Sequence, residues 1–218
     1  MITTERLRLR PLTEADAPWW VRLHSDEEVA RYVGGYTPAQ AAERLREIRR
    51  QWTERGHGLC AVEVRDTGTP IGRCGLHWWE GFQETEIGWT FARAHWGRGY
   101  ATEAAGAVLA WGFDTLGLER ITAMIHHGNT ASRSVARRLG FTPLREDTVL
   151  GRPCTVHALD RDAFRRSRPA ALRAGGDPPA PPGPARSPGG ERPGGPNARR
   201  ARPARGEERP TRDGVMGR

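Results

Sequence analysis

Lysine is missing from this chain, and every one of its 34 basic residues is arginine. That is a compositional habit and carries no functional signal of its own. Cysteine is scarce: Cys60, Cys74 and Cys154 are far apart in sequence, lack the paired spacing of a zinc site, and are odd in number. These features argue against a disulfide framework and a cysteine zinc centre, and point to a reducing compartment. No stretch of 18 apolar residues occurs, and the opening MITTERLRLRPL has neither the apolar core nor the cleavage site of a secretory signal. The expectation is a soluble, cytoplasmic protein with no membrane span.

Large apolar side chains fail towards the C-terminus. From Pro169 onward Pro, Gly, Ala and Arg dominate, aromatics are absent, and only Leu172, Val215 and Met216 are larger apolar residues. Such a segment cannot bury enough apolar surface to offset its ordering entropy. Residues 167–218 are therefore expected to be a disordered tail behind one domain, residues 1–166, of ordinary size. Charge follows the same boundary: from Ser167 on, 11 arginines face 5 acidic residues, so the tail holds six of the chain's eight excess positive charges. A basic extension can associate weakly with a polyanion such as RNA or a ribosome by counterion release, or simply be solvated, since no aromatics are interleaved for base stacking.

What is present alternates between strands and helices. RLRLRPL reads as a short strand, and Thr13 and Asp16 open a helix through WWVRLH. A second helix is expected from Pro38, with Thr37 as N-cap, to a stop at Gly56. GLCAVEVRD, PIGRCGLHWWE and TEIGWTFA follow as three strands, joined through Thr67-Gly68-Thr69 and Gly81-Phe82-Gln83 into an antiparallel meander. The segment YATEAAGAVLAWGFDTLG puts small residues at Ala101, Ala105 and Gly112, which suits a helix lying close against a sheet and ending at Gly117. RITAMIH is a buried strand, NTASRSVARRLGF a helix capped by Gly140, and TVLGRPCTVHALD two short strands around Gly151 and Pro153. The fold class is α/β (α+β): a mixed, mostly antiparallel sheet of about seven strands with helices on both faces, since a helix links the fourth strand to a parallel fifth.

The stretch HWGRGYATEA, residues 95–104, sets Gly97 and Gly99 one residue apart just before a helix. Glycine loses more backbone entropy than other residues, so the pair marks either a turn that needs its dihedral freedom or a ligand approaching the main chain. A phosphate is the natural ligand, because a helix N-terminus offers free N–H groups and partial positive charge.

The run EIGWTFARAHWGRGYATEA, followed about thirty residues later by NTASRSVARRLGF, resembles the GNAT superfamily of acetyl-coenzyme A dependent N-acetyltransferases. It is most similar to the branch that includes the ribosomal-protein N-terminal acetyltransferases. The resemblance extends over roughly residues 3 to 162. It implies a sheet splayed between its fourth and fifth strands, and a loop that wraps the pyrophosphate of coenzyme A. The superfamily pattern Q/R-x-x-G-x-G/A falls on Trp96, Gly99 and Ala101, with Trp96 departing from Gln or Arg as that branch does. Gly97 and Gly99 would let the backbone approach, the amides of Arg98, Gly99, Tyr100, Ala101 and Thr102 would donate, and the Arg98 side chain would add charge. The resemblance further implies that the main chain of Trp89, Thr90 and Phe91 lines the pantetheine arm, and that Asn129 bonds to it.

The chemistry so implied is direct attack of an amine on the acetyl thioester, with no metal and no covalent enzyme intermediate. Glu86 is the candidate base, with Glu84 and Glu80 behind it; a strand-surface carboxylate paired with arginine is the alternative reading of Glu86. Many members place a tyrosine four residues before the Gly-Phe pair, where this chain has Ala136. Attention moves to Ser132 as proton donor or thiol ligand, though a serine near a helix start also serves as a local backbone partner. His77, His126 and His127 carry no role. The aromatic-rich segments at 19–20, 31–36 and 77–80 suit either an acceptor pocket or core packing. The acceptor is a protein N-terminus or a small-molecule amine, and monomer and homodimer are both open. The competing reading is a catalytically decayed binding module tethered to nucleic acid by its tail.

Overall fold

The alternating RLRLRP segment forms strand β2 (Leu7–Pro11), with Leu7 and Leu9 fully buried and Arg8 and Arg10 on the opposite face. The structure, a computed structural model, describes residues 1–149 and 151–167, so the expected tail lies, except for Ser167, outside the described residues. A two-residue strand β1 (Ile2–Thr3) pairs antiparallel with β2 and raises the sheet to eight strands among the described residues. It is too short to leave an alternation signal.

Between β2 and the meander stand three helices where two were expected. A single 3₁₀ turn at Glu14–Asp16 leads into α1 (Ala17–Leu23), and α3 (Pro38–Arg55) follows later. The addition is α2 (Glu27–Val33), seven residues long, opened by Asp26, whose carboxylate accepts from the Glu28 amide at 2.9 Å. Its length gives too few turns for an apolar period to show. The expected start and stop of α3 are both present. Thr37 and Gln40 exchange side-chain and backbone hydrogen bonds (3.3 and 2.9 Å), and Gly56 ends the helix at φ 70°.

Strands β3 (Leu59–Val64), β4 (Pro70–Trp79) and β5 (Glu84–Phe91) form the antiparallel meander. Helix α4 (Tyr100–Asp114) then returns the chain to β6 (Arg120–His126), which runs parallel to β5. A Cβ at Gly112 would lie 2.9 Å from Ile121 Cδ1, so glycine there permits the close helix-to-strand approach. Helix α5 (Thr130–Leu139) precedes β7 (Thr142–Val149) and β8 (Arg152–Asp160), and α6 (Arg161–Ser167) ends the described chain. The last two strands are longer than expected, and β8 inserts between β6 and β7. Pro153 is tolerated inside β8 because its only ladder partner is Thr148 of β7; the β6 ladder stops one residue away at Cys154.

Two apolar layers sandwich the sheet. One joins it to α4 and α5 through residues such as Leu76, Ile87, Val108 and Leu109; the other joins it to α1 and α3 through Trp20, Leu45 and Ile48. The thiols of Cys60 and Cys74, distant in sequence, are register partners on β3 and β4, free and buried. No helix among the described residues is long and apolar enough to cross a membrane.

Candidate active site

Strands β5 and β6, the fourth and fifth in the seven-strand reckoning, are joined at a single register position, Glu86 opposite Thr122. Beyond it β5 continues to Phe91 with β4 on one side and no strand on the other. In a strand the N–H and C=O of one residue point to the same side, and successive residues alternate. Ala92 N–H bonds to Ile71 at 2.9 Å, towards β4, whereas Thr85 C=O accepts from Thr122 of β6. The main chain of Trp89 and Phe91 therefore faces the open edge and that of Thr90 faces β4. The Phe91 carbonyl accepts the Trp96 indole N–H at 2.7 Å, which leaves the Trp89 amide, the Trp89 carbonyl and the Phe91 amide along the gap. Unpaired strand edges of this kind accept an extended, amide-bearing chain.

At the far end of this edge the loop Trp96–Gly99 is exposed and opens α4. Gly97 and Gly99 both have left-handed backbone, at φ 74° and 80°, so their dihedral freedom is needed. Gly99 is the N-cap and has no side chain to satisfy the first turn; the first helical bond is donated by Glu103, and the amides of Tyr100, Ala101 and Thr102 stand free of the helix ladder. The loop is braced from the turn between β1 and β2. Arg6 donates through Nη1 to the Arg98 carbonyl (3.1 Å), pairs with Glu103 (2.6 Å) and lies over the Tyr100 ring (4.7 Å). Thr4 Oγ1 and the Arg6 amide both donate to Glu103 Oε1, at 2.6 and 3.0 Å. Thr4 carries no motif and Arg6 is only the first residue of the RLRLRPL alternation, so nothing in the sequence points to this brace.

Glu86 sits at the point of divergence. Its carboxylate accepts the Trp79 indole N–H at 2.5 Å and, across the gap, the Met124 amide at 3.2 Å. A side chain thus takes up a β6 amide where a ladder bond would otherwise run. Burial pushes the Glu86 carboxyl above the ordinary carboxylate range, against the pull of these two donors and the more distant Arg73 and Arg44. The alternative carboxylates are engaged elsewhere. Glu84 forms a two-pronged pair with Arg145 at 2.7 and 3.0 Å, and Glu80 holds Arg55 at 2.5 Å on the surface.

Ser132 lies on the other face of β5, where its Oγ accepts the Trp89 indole N–H at 3.3 Å. Asn129 caps α5, its Oδ1 accepting the Ser132 amide at 3.0 Å. Ala136 is fully buried in the core, with no polar group there. His126 stacks on Tyr32, and His127 contacts Glu146 at 2.6 Å. Among the described residues, no group of three side chains could hold a metal ion.

On the Glu86 face, register aligns Arg73 with Thr90, Gly75 with Gly88 and His77 with Glu86. Trp20 of the aromatic-rich segments is fully buried core, whereas Tyr36 stands edge-on to Trp20 and His24, and Trp79 holds Glu86. Tyr32 reaches from α2 to donate to the Gly128 carbonyl at 2.9 Å, just before α5.

Residues 6–142 match the Acetyltransferase (GNAT) domain family. The chain belongs to this family and is by class an N-acetyltransferase. Among curated proteins it is 35% identical to an uncharacterized protein, YkkB, of Bacillus subtilis, over 72% of this chain and 93% of the relative. It is 32% identical to the uncharacterized N-acetyltransferase YoaA of the same organism, over 65% and 82%. Among solved structures, an acetyltransferase from Agrobacterium tumefaciens is 33% identical with a TM-score of 0.65, over 72% and 92%. AAC(6')-Ib, solved in complex with paromomycin and acetyl-CoA, shares the fold at 18% identity and a TM-score of 0.65, over 76% and 99%.

Proposed function

We propose that this chain transfers the acetyl group of acetyl-CoA to a primary amine by direct attack on the thioester. The observation that carries the reading is the partly buried Glu86 carboxylate, which stands where β5 and β6 diverge, with raised proton affinity and, among the described residues, no arginine hydrogen-bonded to it. The cofactor's pyrophosphate would rest on the amides at the start of α4, and its pantetheine arm along the Trp89–Phe91 edge, where the free amides polarise the acetyl carbonyl. Glu86 takes the ammonium proton, directly or through one water. The amine nitrogen then bonds to the carbonyl carbon, the C–S bond breaks, and the thiolate takes up a proton. Ser132 is the candidate donor for that step: its oxygen accepts from Trp89, which leaves its own O–H to donate. Successive residues point to opposite faces, so Glu86 and the Trp89–Ser132 pair flank β5. The amine enters from one side and the thiol departs on the other.

Two measurements test this. Acetyl-CoA at 100 times its dissociation constant stabilises the fold by about 2.7 kcal/mol, read as a raised melting temperature. Release of free thiol over a panel of amines, including peptides with free N-termini, then reports turnover. Binding without thiol release for any acceptor would favour the decayed binding module instead.

A further inference from the structure

On the acceptor face of β5, Glu86 is surrounded by more positive charge than it can neutralise. Arg73, its guanidinium lying against Gly88 between Glu86 and Thr90, has no ion-pair partner among the described residues; it rests over the Trp20 ring at 5.3 Å. Its Nε is buried without any hydrogen-bond partner, and so is the hydroxyl of Thr90 directly opposite. Arg44 lies on α3, one turn from the buried Ala41 and Ile48, and is itself partly buried. It too has no carboxylate partner among the described residues; its neighbours Glu43 and Glu47 are paired with Arg46 and Arg50. Both cations act on Glu86 and on His77. His24, His57 and His77 add no charge: burial pushes them down to about 3, 4 and 3. At neutral pH two guanidinium groups therefore face one carboxylate.

A partner-less buried cation is costly, and buried polar groups without partners mark a place that a ligand completes. A simple amine would worsen the imbalance on arrival as an ammonium ion. An amine that also carries a carboxylate adds no net charge and gives the partner-less guanidinium a counter-ion, and the planar fork of arginine matches a carboxylate. We propose that the acceptor carries a carboxylate as well as its amine, with Arg73 and Arg44 holding the carboxylate while Glu86 faces the amine. The inference rests on the acetyl-transfer reading above and names its substrate class.

The test uses matched acceptors: a set of α-amino acids, their amides and their decarboxylated amines, and peptides beginning with Asp or Glu against peptides beginning with Ala. Wild-type kcat/KM, read by thiol release, is expected to favour the carboxylate form of each pair by about tenfold or more, the worth of one charge-assisted contact. Preference confined to free amino acids, or to acidic peptides, identifies which molecule supplies the group, and either supports the proposal. In Arg44→Gln and Arg73→Met the ratio should fall about tenfold through KM for the acid. Arg44 is not part of the buried core, so its variant keeps the test open if Arg73→Met does not fold. Turnover with equal or better rates for the decarboxylated amines overturns the proposal while leaving acetyl transfer intact. So does a rise in the KM for acetyl-CoA with unchanged acceptor selectivity. Absence of both acetyl-CoA stabilisation and thiol release overturns the acetyl-transfer reading itself, and this inference with it.

Discussion

The two faces of β5 are built by different means. The side carrying Trp89 and Phe91 is assembled from contiguous sequence: the strand, the glycine loop and the first turn of α4 follow one another, and Ser132 is added from one helix beyond. The Glu86 side draws on β4, α1 and α3, with Arg73, Arg44, Tyr36 and His77 brought together from 42 residues of chain (36–77). A binding surface made mostly of backbone amides is indifferent to most side-chain changes and suits a constant cofactor. One made of scattered side chains can change its acceptor without disturbing the first.

The sharpest way to break this division is Gly99→Val. At φ 80° a branched side chain is strained, and it would project where the pyrophosphate is proposed to rest. We expect acetyl-CoA binding to be abolished while the circular dichroism spectrum and the cores stay native. Unchanged affinity in a folded variant would remove the phosphate-loop assignment.

The complementary change on the other face is Glu86→Gln. Turnover should fall about 100-fold or more, the usual loss for a general base, with acetyl-CoA affinity retained. The base must be ionised, so wild-type kcat/KM falls as pH drops through the Glu86 value. Burial raises that value, which puts the acid limb above the 4.5 of an ordinary glutamate. The limb should vanish in the variant. A loss below tenfold at every pH would hand the role to Glu84, Glu80 or water.

Smaller effects sharpen the comparison. Arg6→Ala removes the brace between Arg98, Tyr100 and Glu103 without touching the amides, so the KM for acetyl-CoA should rise about three- to tenfold with kcat nearly kept. The range allows for solvent screening of a half-exposed arginine. Equal losses in kcat and KM would mean that the brace serves chemistry and not the loop.

These differences also explain what was legible in the sequence. The strand order through the meander, the Gly56 and Gly140 stops and the α4 approach at Gly112 all rest on local signals of period, cap or residue size. So does the glycine loop, because the positive φ at Gly97 and Gly99 is a property of the residues themselves. Helix α2 and strand β1 were hidden because they are too short to show a period. Arg6, Arg73 and Arg44 were hidden because arginine is common throughout this chain, and their meaning comes from neighbours far away in sequence. Asn129 shows the limit of a motif: its Oδ1 already accepts one bond in capping α5, so a cofactor arm would be met by the amide nitrogen or by the remaining lone pair of Oδ1.

Acid should separate the faces as well. His24, His57 and His77 all belong to the acceptor side and are held neutral by burial, at about 3, 4 and 3. A histidine depressed in the folded state contributes stability that is fully present above its unfolded value of 6.5 and lost as pH falls towards the folded value. At pH 5.5 each should have cost about 1.4 kcal/mol, and denaturant titrations should show a stability slope that is shallower by one proton in His77→Phe. An unchanged slope would mean that His77 is solvated.

The smallest effect on catalysis is expected from truncation after Ser167. Every residue named on either face of β5 lies before that point, and the family match ends at residue 142. We propose that residues 1–167 suffice for the reaction, so thiol release with a small amine and the melting temperature should match the full chain. The removed residues carry six of the eight excess positive charges, and a basic segment binds polyanions by releasing their counterions. Truncation should therefore weaken binding to generic RNA and flatten its salt dependence, measured at two salt concentrations. A several-fold loss of turnover with a small amine would mean that the segment reaches the active site, and the boundary would be wrong. A loss confined to protein acceptors bound to nucleic acid would instead make it a recruiting arm. The acceptor carboxylate would then be sought in acidic protein N-termini rather than in free amino acids.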